Sequence, residues 1–463
     1  MERMNMPKEN KMGTMPVGPL LMNMSIPMMI SMLVQALYNI VDSAFVGMIS
    51  SQALAAVSLA FVYQNLCIAL GIGTGVGVNA LVARHLGEKD REKASRVANT
   101  GIKLALITSV VFCVITVLSV GPYFSSLSGK NNDLSPATME AGREYILICC
   151  GIPFGVFVQT MMEKLLQATG RTKLSMISQM TGAIFNCIMD PLWIFGIGPF
   201  PKMGVAGAAL ATIGGQFLGA FVALYFNVRY NREIEINWKK YPLEKATVVA
   251  IYSISLPTII MQAVGSVMYY GYSKIVVRFT EDAVTVFGSY FKLQSFVFMP
   301  IFGLNNGMIP IVGYNYGASK PERIRKAVHI ATLIAVGIMA VGTMIFMIFP
   351  RQLLGIFSVN DRILAIGIPA LRIISVHFCI AGFCIVSNSF FQAMGHGMLS
   401  LFVSVGRQIV ILLPAAFILS VIGGLSVVWW AFPIAEIASA TLCIIFRRRV
   451  DRLEIRPLEK GNA

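Results

Sequence analysis

Charge is what this sequence has least of. Of its 463 residues only 13% are Asp, Glu, Lys or Arg, where soluble proteins carry about 25%. Acid is scarcer than base, 22 residues against 37, for a net charge of +15. Such a composition excludes an ordinary soluble domain. The four histidines, at positions 85, 329, 377 and 396, lack any zinc-ligand spacing. There is no Gly-x4-Gly-Lys-Ser/Thr stretch, so no P-loop ATPase chemistry is expected, and no Ser/His/Asp arrangement is suggested. Gly71, Gly73, Gly75 and Gly77 mimic a phosphate loop, but they lie in an apolar run with no strand before them, so close helix approach is expected. All eight cysteines fall in apolar segments and read as small packing residues, without a disulfide framework. No cleavage-site pattern follows a short apolar core near the N-terminus, so the first helix is expected to be retained.

What the chain has instead is long hydrophobic runs. Mean hydropathy is +0.72 and 56% of residues are hydrophobic. Twelve runs are long enough to cross a hydrocarbon core of about 30 Å: 24–49, 53–83, 98–121, 144–168, 174–197, 204–227, 248–277, 284–313, 328–349, 366–393, 399–421 and 425–446. Backbone groups in lipid must be satisfied internally, so these runs are expected to be helices. With an even number of spans and the N-terminus inside, 25 of the 37 Lys and Arg fall in inside loops and 6 outside. That bias puts both termini in the cytoplasm. The excess of positive charge then belongs beside anionic lipid, and nucleic-acid binding is not expected.

The two halves repeat. At a shift of 230 residues, Ser25-Ile26-Pro27 meets Ser255-Leu256-Pro257, and Gly73, Gly77 and Gly87 meet Gly303, Gly307 and Gly317. At a shift of 225, Gln167-Ala168-Thr169-Gly170 meets Gln392-Ala393-Met394-Gly395. The expected organisation is a cytoplasmic N-terminal segment (1–23), an N-lobe of six helices (24–230), a cytoplasmic linker (231–247), a C-lobe of six helices (248–446) and a basic cytoplasmic tail (447–463). Parallel halves of this kind usually enclose a cavity and alternate its access, as transporters do.

Two acids stand inside apolar runs. Asp190 is followed by Pro191, and Asp42 lies in the first run. A carboxylate at the bilayer centre costs about 3 kcal/mol or more, so intramembrane acids default to function. Pro191 frees a backbone carbonyl beside the acid. If Asp42 and Asp190 meet, their repulsion is relieved by a proton, or by a sodium ion shared with Asn186 and a nearby hydroxyl such as that of Thr212. The residues leave that choice open. Gln35, Tyr38 and Asn39 share the helical face of Asp42 and should point into the bundle. Gln64, Tyr272, Lys292 and Gln294 complete the candidate substrate-binding set. Tyr272 is the counterpart of Asp42 at the 230 shift, and no second-half residue matches Asp190. Glu163 and Lys164 are expected to form a local ion pair, and Glu436 to make a polar contact in the second half.

These residues resemble the multidrug and toxic compound extrusion (MATE) family. The likeness is carried by Pro27 and Asp42-Ser43-Ala44-Phe45-Val46-Gly47, by Gly77 to Gly87, and by Gln167 to Gly170. It continues through Asp190-Pro191, Gly204 to Thr212, Phe291-Lys292-Leu293-Gln294-Ser295-Phe296 and Gly307 to Gly317. It covers nearly the whole chain and is similar to the MepA-type bacterial branch, near the DinF-like transporters. The resemblance implies an all-α integral membrane protein of twelve transmembrane helices in two pseudo-symmetric lobes set in a V. It implies secondary active efflux of amphipathic, often cationic drugs and dyes in exchange for H+ or Na+. It also implies an N-lobe cation site on Asp42, Asn186, Asp190 and Thr212, which would be metal ligands only if the ion is Na+. No other cofactor, no enzymatic activity, a monomer in contact with membrane lipid, and a bacterial plasma-membrane location are expected. The NorM-like branch has acids in its seventh and tenth helices; here Gln262 stands in the seventh and the tenth has none. The alternative reading is an ion-coupled flippase of a lipid-linked precursor, for which Lys292, Arg372 and Arg407 would be the cations.

Overall fold

The computed structural model describes residues 10–127, 136–357 and 360–461. Among them every element is a helix. The order is α1 (Lys11–Thr14), α2 (Val17–Ile49), α3 (Ser51–Gly87), α4 (Arg91–Leu127), α5 (Pro136–Cys149), α6 (Phe154–Ala168), α7 (Thr172–Phe195), α8 (Gly204–Tyr230), α9 (Lys245–Val276) and α10 (Glu281–Gly317). Then come α11 (Pro321–Ile348), α12 (Pro350–Gly355), α13 (Asp361–Ser375), α14 (Phe378–Ala393), α15 (Gly397–Val405), a π-helical stretch (Gly406–Leu412), α16 (Leu413–Gly423), α17 (Leu425–Val428), α18 (Ala431–Val450), a second π-helical stretch (Asp451–Ile455) and α19 (Arg456–Gly461). Arg3, Lys8 and Lys130, which contribute to the charge bias, lie outside the described residues.

Among the described residues nine helices are long and apolar enough to cross a membrane, or up to eleven spans if each of two bent pairs is one span. The bent pairs are α5 with α6 (43°) and α13 with α14 (50°), at the fourth and tenth predicted runs. The remaining predicted run is α7. It has 24 residues, but Ser175, Ser178, Gln179, Thr181, Asn186 and Asp190 make it more polar than its neighbours. A helix with that many polar side chains must turn them toward protein, and Ser175, Ser178, Asn186 and Asp190 are all buried.

The repeat is visible in the caps. α6 and α14 both end on a left-handed glycine, Gly170 (φ 80°) and Gly395 (φ 90°). The following amides, Arg171 N and His396 N, donate back to Leu166 O and Phe391 O, each at 2.7 Å. This is the closure that a glycine at the first non-helical position permits.

The described chain forms two compact units. One covers 10–29, 83–90 and 260–461; the other covers 30–82 and 91–259. The divisions within α2 and α9 fall just after Pro27 and Pro257, which occupy equivalent positions in the repeat. In the first unit Ser25 Oγ donates to Leu304 O (3.1 Å), and a Cβ at Gly307 would strike Ser25. In the second unit Ser255 Oγ donates to Thr74 O (3.3 Å), and a Cβ at Gly77 would strike Ser255. The same contact is thus made twice, and each time a serine of one half meets a glycine-bearing helix of the other. Small residues at these crossings let backbones approach closely, which is how helices associate without a hydrophobic driving force.

Candidate functional site

The second unit gathers the sequence-predicted acids. α7 and α8 are held close by glycines: a Cβ on Gly182 would lie 2.7 Å from Gly215 O, and one on Gly215 would lie 2.6 Å from Gly182 O. A Cβ on Gly207 would lie 2.7 Å from Trp193 O. This contact sets Asn186 of α7 against Thr212 of α8. With its amide nitrogen turned toward Asp190, Asn186 donates to Asp190 Oδ2 (2.8 Å), and its carbonyl accepts from Thr212 Oγ1 (3.2 Å) and Thr212 N (3.0 Å). The opposite orientation leaves the amide oxygen facing only acceptors, so the first is adopted.

Asp42 of α2 completes the group. Its carboxyl is within hydrogen-bonding reach of the Asp190 carboxyl. Asp190 is fully buried, Asn186 and Thr212 nearly so, and Asp42 half-buried. Each acid keeps one buried oxygen, Asp42 Oδ1 and Asp190 Oδ1, with no hydrogen-bond partner. Among the described residues neither acid has a basic partner. Two ionised carboxylates at this range repel in a medium that screens poorly, and a shared proton or a cation removes the repulsion.

Of the polar face on α2, Tyr38 joins the site. Its hydroxyl lies beside Thr212 and within electrostatic range of both acids and Cys149. Gln35 and Asn39 are exposed. Gln64 enters indirectly, donating to the Tyr145 hydroxyl (3.1 Å), and Tyr145 in turn neighbours Cys149, Asp42 and Tyr38. Tyr145 and Cys149 were not singled out by sequence reasoning. Both stand in the fourth run, where a tyrosine and a cysteine in an apolar stretch read as packing residues.

Glu163 and Lys164 are consecutive on α6 and are directed to different partners. The Glu163 carboxylate accepts from Gln159 Nε2 (2.9 Å), Gln179 Nε2 (2.6 Å) and Ser178 Oγ (3.2 Å). Lys164 Nζ donates to Gln167 Oε1 (3.1 Å). A local pair alone therefore does not describe this region, which is a buried polar network spanning α6 and α7.

The first unit holds the other candidates, and they do not form a comparable cluster. Tyr272 is fully buried, its hydroxyl donating to Val428 O (3.2 Å) and its ring centroid 4.5 Å from Phe287 and 5.0 Å from Phe432. It is a member of an aromatic core rather than of an open face. Lys292 is exposed, with Nζ 5.8 Å from the Phe357 ring centroid. Gln294 is half-buried and its Oε1 has no partner. Arg407 donates through Nη1 to Glu436 Oε2 (2.9 Å), and Arg372 Nε donates to Met347 O (3.1 Å). The flippase alternative thus loses Arg407 as an unengaged cation. Arg407 and Glu436 are 29 residues apart, in the eleventh and twelfth runs. Their opposite intramembrane charges were a usable pairing signal.

The helical membrane fold, the duplicated halves and the buried acid pair point to the class of membrane transporters. Comparison with known proteins agrees. The MatE family model matches residues 27–192 and again 257–418, two segments offset by the repeat. The chain belongs to this family of multidrug and toxic compound efflux transporters, and it is a transporter, not an enzyme. It is similar to the multidrug export protein MepA of Staphylococcus haemolyticus, 27% identical over 92% of each chain. It is also similar to the FAD transporter of Shewanella oneidensis, 24% identical over 94% of this chain and 95% of that one. A solved multidrug resistance MATE family transporter of the MOP superfamily, in an outward-facing conformation, superimposes with a TM-score of 0.90 at 26% identity, covering 99% of this chain and all of the other. A MOP superfamily transporter from Pyrococcus furiosus does so with a TM-score of 0.90 at 25% identity, over 98% and 100%.

Proposed function

We propose that the chain exports amphipathic, often cationic small molecules across a bacterial plasma membrane by alternating access, in exchange for protons, with both termini in the cytoplasm. The observation that carries the reading is the Asp42–Asp190 pair: two carboxyls from separate helices, within hydrogen-bonding reach, each with one buried oxygen unpartnered and neither beside a base. Sodium is a hard cation that wants several oxygens. Here the Asn186 carbonyl is engaged with Thr212, leaving two free carboxylate oxygens. That donor set suits a proton shared between acids better than a sodium ion.

Asn186 and Tyr38 would hold the pair in register, Asn186 by donating to Asp190 and Tyr38 through Thr212. Protonation removes one negative charge from the α2–α7 contact and with it the preference of the site for one arrangement over another. A ligand shifts an equilibrium by its differential affinity for the two states, so proton binding and cargo release become linked. One charge crossing 100 mV supplies about 2.3 kcal/mol, which sustains roughly fifty-fold accumulation of a neutral cargo. Within the second unit Gln35, Asn39 and Gln64 are proposed to meet cargo; within the first, Lys292 and Gln294 are, and Tyr272 would act there through the aromatic core it belongs to.

The test is dye efflux from energised cells carrying the wild type or Asp190→Asn at equal membrane levels, with pH varied at fixed sodium and sodium at fixed pH. Efflux that follows the pH gradient and is lost in the variant is expected. Undiminished efflux in the variant sinks the reading, and dependence on sodium alone replaces the proton with sodium.

A further inference from the structure

The first unit contains an intramembrane ion pair that the proposed transport cycle does not use. Glu436 of α18 is 2% exposed. Its Oε2 accepts from Arg407 Nη1 at 2.9 Å, and its Oε1 is buried with no partner. The two side chains differ in access: 3% of the Glu436 side chain is exposed, against 29% of that of Arg407. The acid is sealed, and Arg407 is the less enclosed side chain of the two. Arg407 sits in the π-helical stretch Gly406–Leu412, within a span that is otherwise α-helical. Single-turn π stretches inside α-helices are rare and recur at functional sites. Nearby, the Tyr290 hydroxyl is a second buried polar group without a partner.

We propose that Glu436 is a second proton-carrying carboxyl, which exchanges its bond to Arg407 for a proton while the π-helical stretch changes register. In the step a proton adds to the Glu436 carboxylate. The charge-assisted bond to Arg407 breaks, and the guanidinium keeps its charge and moves off the acid. Release of the proton reverses both changes. A metal ion is disfavoured, because a guanidinium already occupies Oε2 and the buried oxygens beside the free Oε1 are the neutral hydroxyls of Tyr290 and Ser439. A larger ligand is excluded by burial: Tyr290, His377 and Phe432 around the acid are 6% exposed or less.

The groups that face Glu436 are few. Arg407 comes from the π-helical stretch, Tyr290 from α10, His377 from the corner between α13 and α14, and Cys384 from α14. Cys443, on α18 itself, contacts Cys384. α15, α16 and α17 bring no titratable side chain. His377 is committed through Nδ1 to Ile374 O (2.5 Å) and its ring stacks on Phe432. Arg407 is therefore the counter-charge whose release a proton on Glu436 would trigger.

The role in export rests on the transporter reading above, but the protonation does not, so it is tested without cargo. Infrared difference spectra of the purified full-length protein in nanodiscs are recorded between pH ~8 and ~4, together with hydrogen exchange over residues 406–412. A carboxylic-acid band is expected to appear on acidification and to lose one component in Glu436→Gln while retaining it in Asp190→Asn. Exchange in 406–412, corrected for intrinsic rate, should rise by roughly tenfold with the same midpoint. The double variant Glu436→Gln/Arg407→Gln removes both charges and guards against misfolding of the single one; it should lose the same component. A band unchanged in both Glu436 variants, or a flat exchange profile in a folded wild type, overturns the proposal and leaves a static ion pair. If these fail while pH-driven efflux persists, only the second site falls. If they succeed while efflux is absent, the antiport reading falls instead.

Discussion

The two units solve the same problem of intramembrane charge in opposite ways. In one, Asp42 and Asp190 stand together with no basic partner and borrow Asn186, Thr212 and Tyr38 to hold them. In the other, Glu436 has its own arginine. An acid pair without a counter-ion has to take up something from outside to be neutral. An acid with a built-in guanidinium is already neutral and has to lose something to be changed. The halves are duplicated in helix order, caps and glycine crossings, yet this chemistry is not duplicated. Divergence lies in what the helices carry and, at the π-helical stretch that interrupts the counterpart of α7, in the backbone that carries Arg407.

The largest break in the comparison should come from Asp190→Asn. Drug accumulation ratios should change by roughly fifty-fold, the ratio that one charge at 100 mV sustains, while membrane insertion is unaffected; efflux at wild-type level would refute the difference drawn between the units. Next, Glu436→Gln alone should destabilise the protein by about 1.5–3 kcal/mol, because a neutral amide replaces the charge-assisted bond to Arg407. The apolar double variant Glu436→Leu/Arg407→Met should recover most of that loss. Thermal unfolding in detergent measures both, and equal losses in single and double variants would show that the pair is not the coupled unit.

Substitution at the helix contact that builds the acid site should cost less. Gly215→Ala places a Cβ 2.6 Å from Gly182 O, an overpacking penalty of about 1–3 kcal/mol, and should weaken pH-driven efflux by loosening Asn186 from Thr212. Normal efflux with lowered stability would separate the packing from the site. Smaller again, Gly170→Ala and Gly395→Ala each force a side chain into the left-handed region, at about 1–2 kcal/mol. The two should match within experimental error, and a clear difference would mean that the repeated caps are not equivalent.

The smallest effect lies at the end of α3. Glu88 is partly buried, which works against its charge, but His85 (2.8 Å) and Arg84 (3.1 Å) hold its carboxyl below the usual carboxylate range. A depressed folded value means that the contribution is fully present above the unfolded value of about 4.5 and is lost as pH falls through the folded one. The group is largely solvated, so a few tenths of a kcal/mol is expected. A comparison of wild type with Glu88→Gln should show the gap closing below about pH 4, and a gap that widens there would reverse the sign.

Much of this was readable along the chain. The apolar runs had to be helices because lipid leaves no other outlet for backbone polarity, and the repeat announced itself in Ser-x-Pro and Gln-Ala-x-Gly. Asp42 and Asp190 were conspicuous because a carboxylate is expensive where they stand. α7 was legible as a span only with its polar face in mind, since its seven-turn length is offset by serines, Gln179 and Asn186. Tyr272 sits in surroundings the sequence did not announce. Its shift-equivalence to Asp42 suggested a binding face, whereas the aromatic rings of Phe287, Trp429 and Phe432 close around it.

The sequence by itself determined the class of solvent, the order of the apolar helices, the duplication and the identity of the costly residues. Those follow from transfer energies and local backbone rules, which act over a few residues at a time. Only the tertiary structure decided which residues meet: Asn186 with Thr212 across the Gly182–Gly215 contact, Tyr145 beside Asp42, Arg407 on Glu436, and the assignment of Ser25 and Ser255 to opposite units. Each of these pairings joins positions far apart in the chain, and no periodicity encodes the approach of one helix to another. That approach is set by where the absence of a side chain lets two backbones touch.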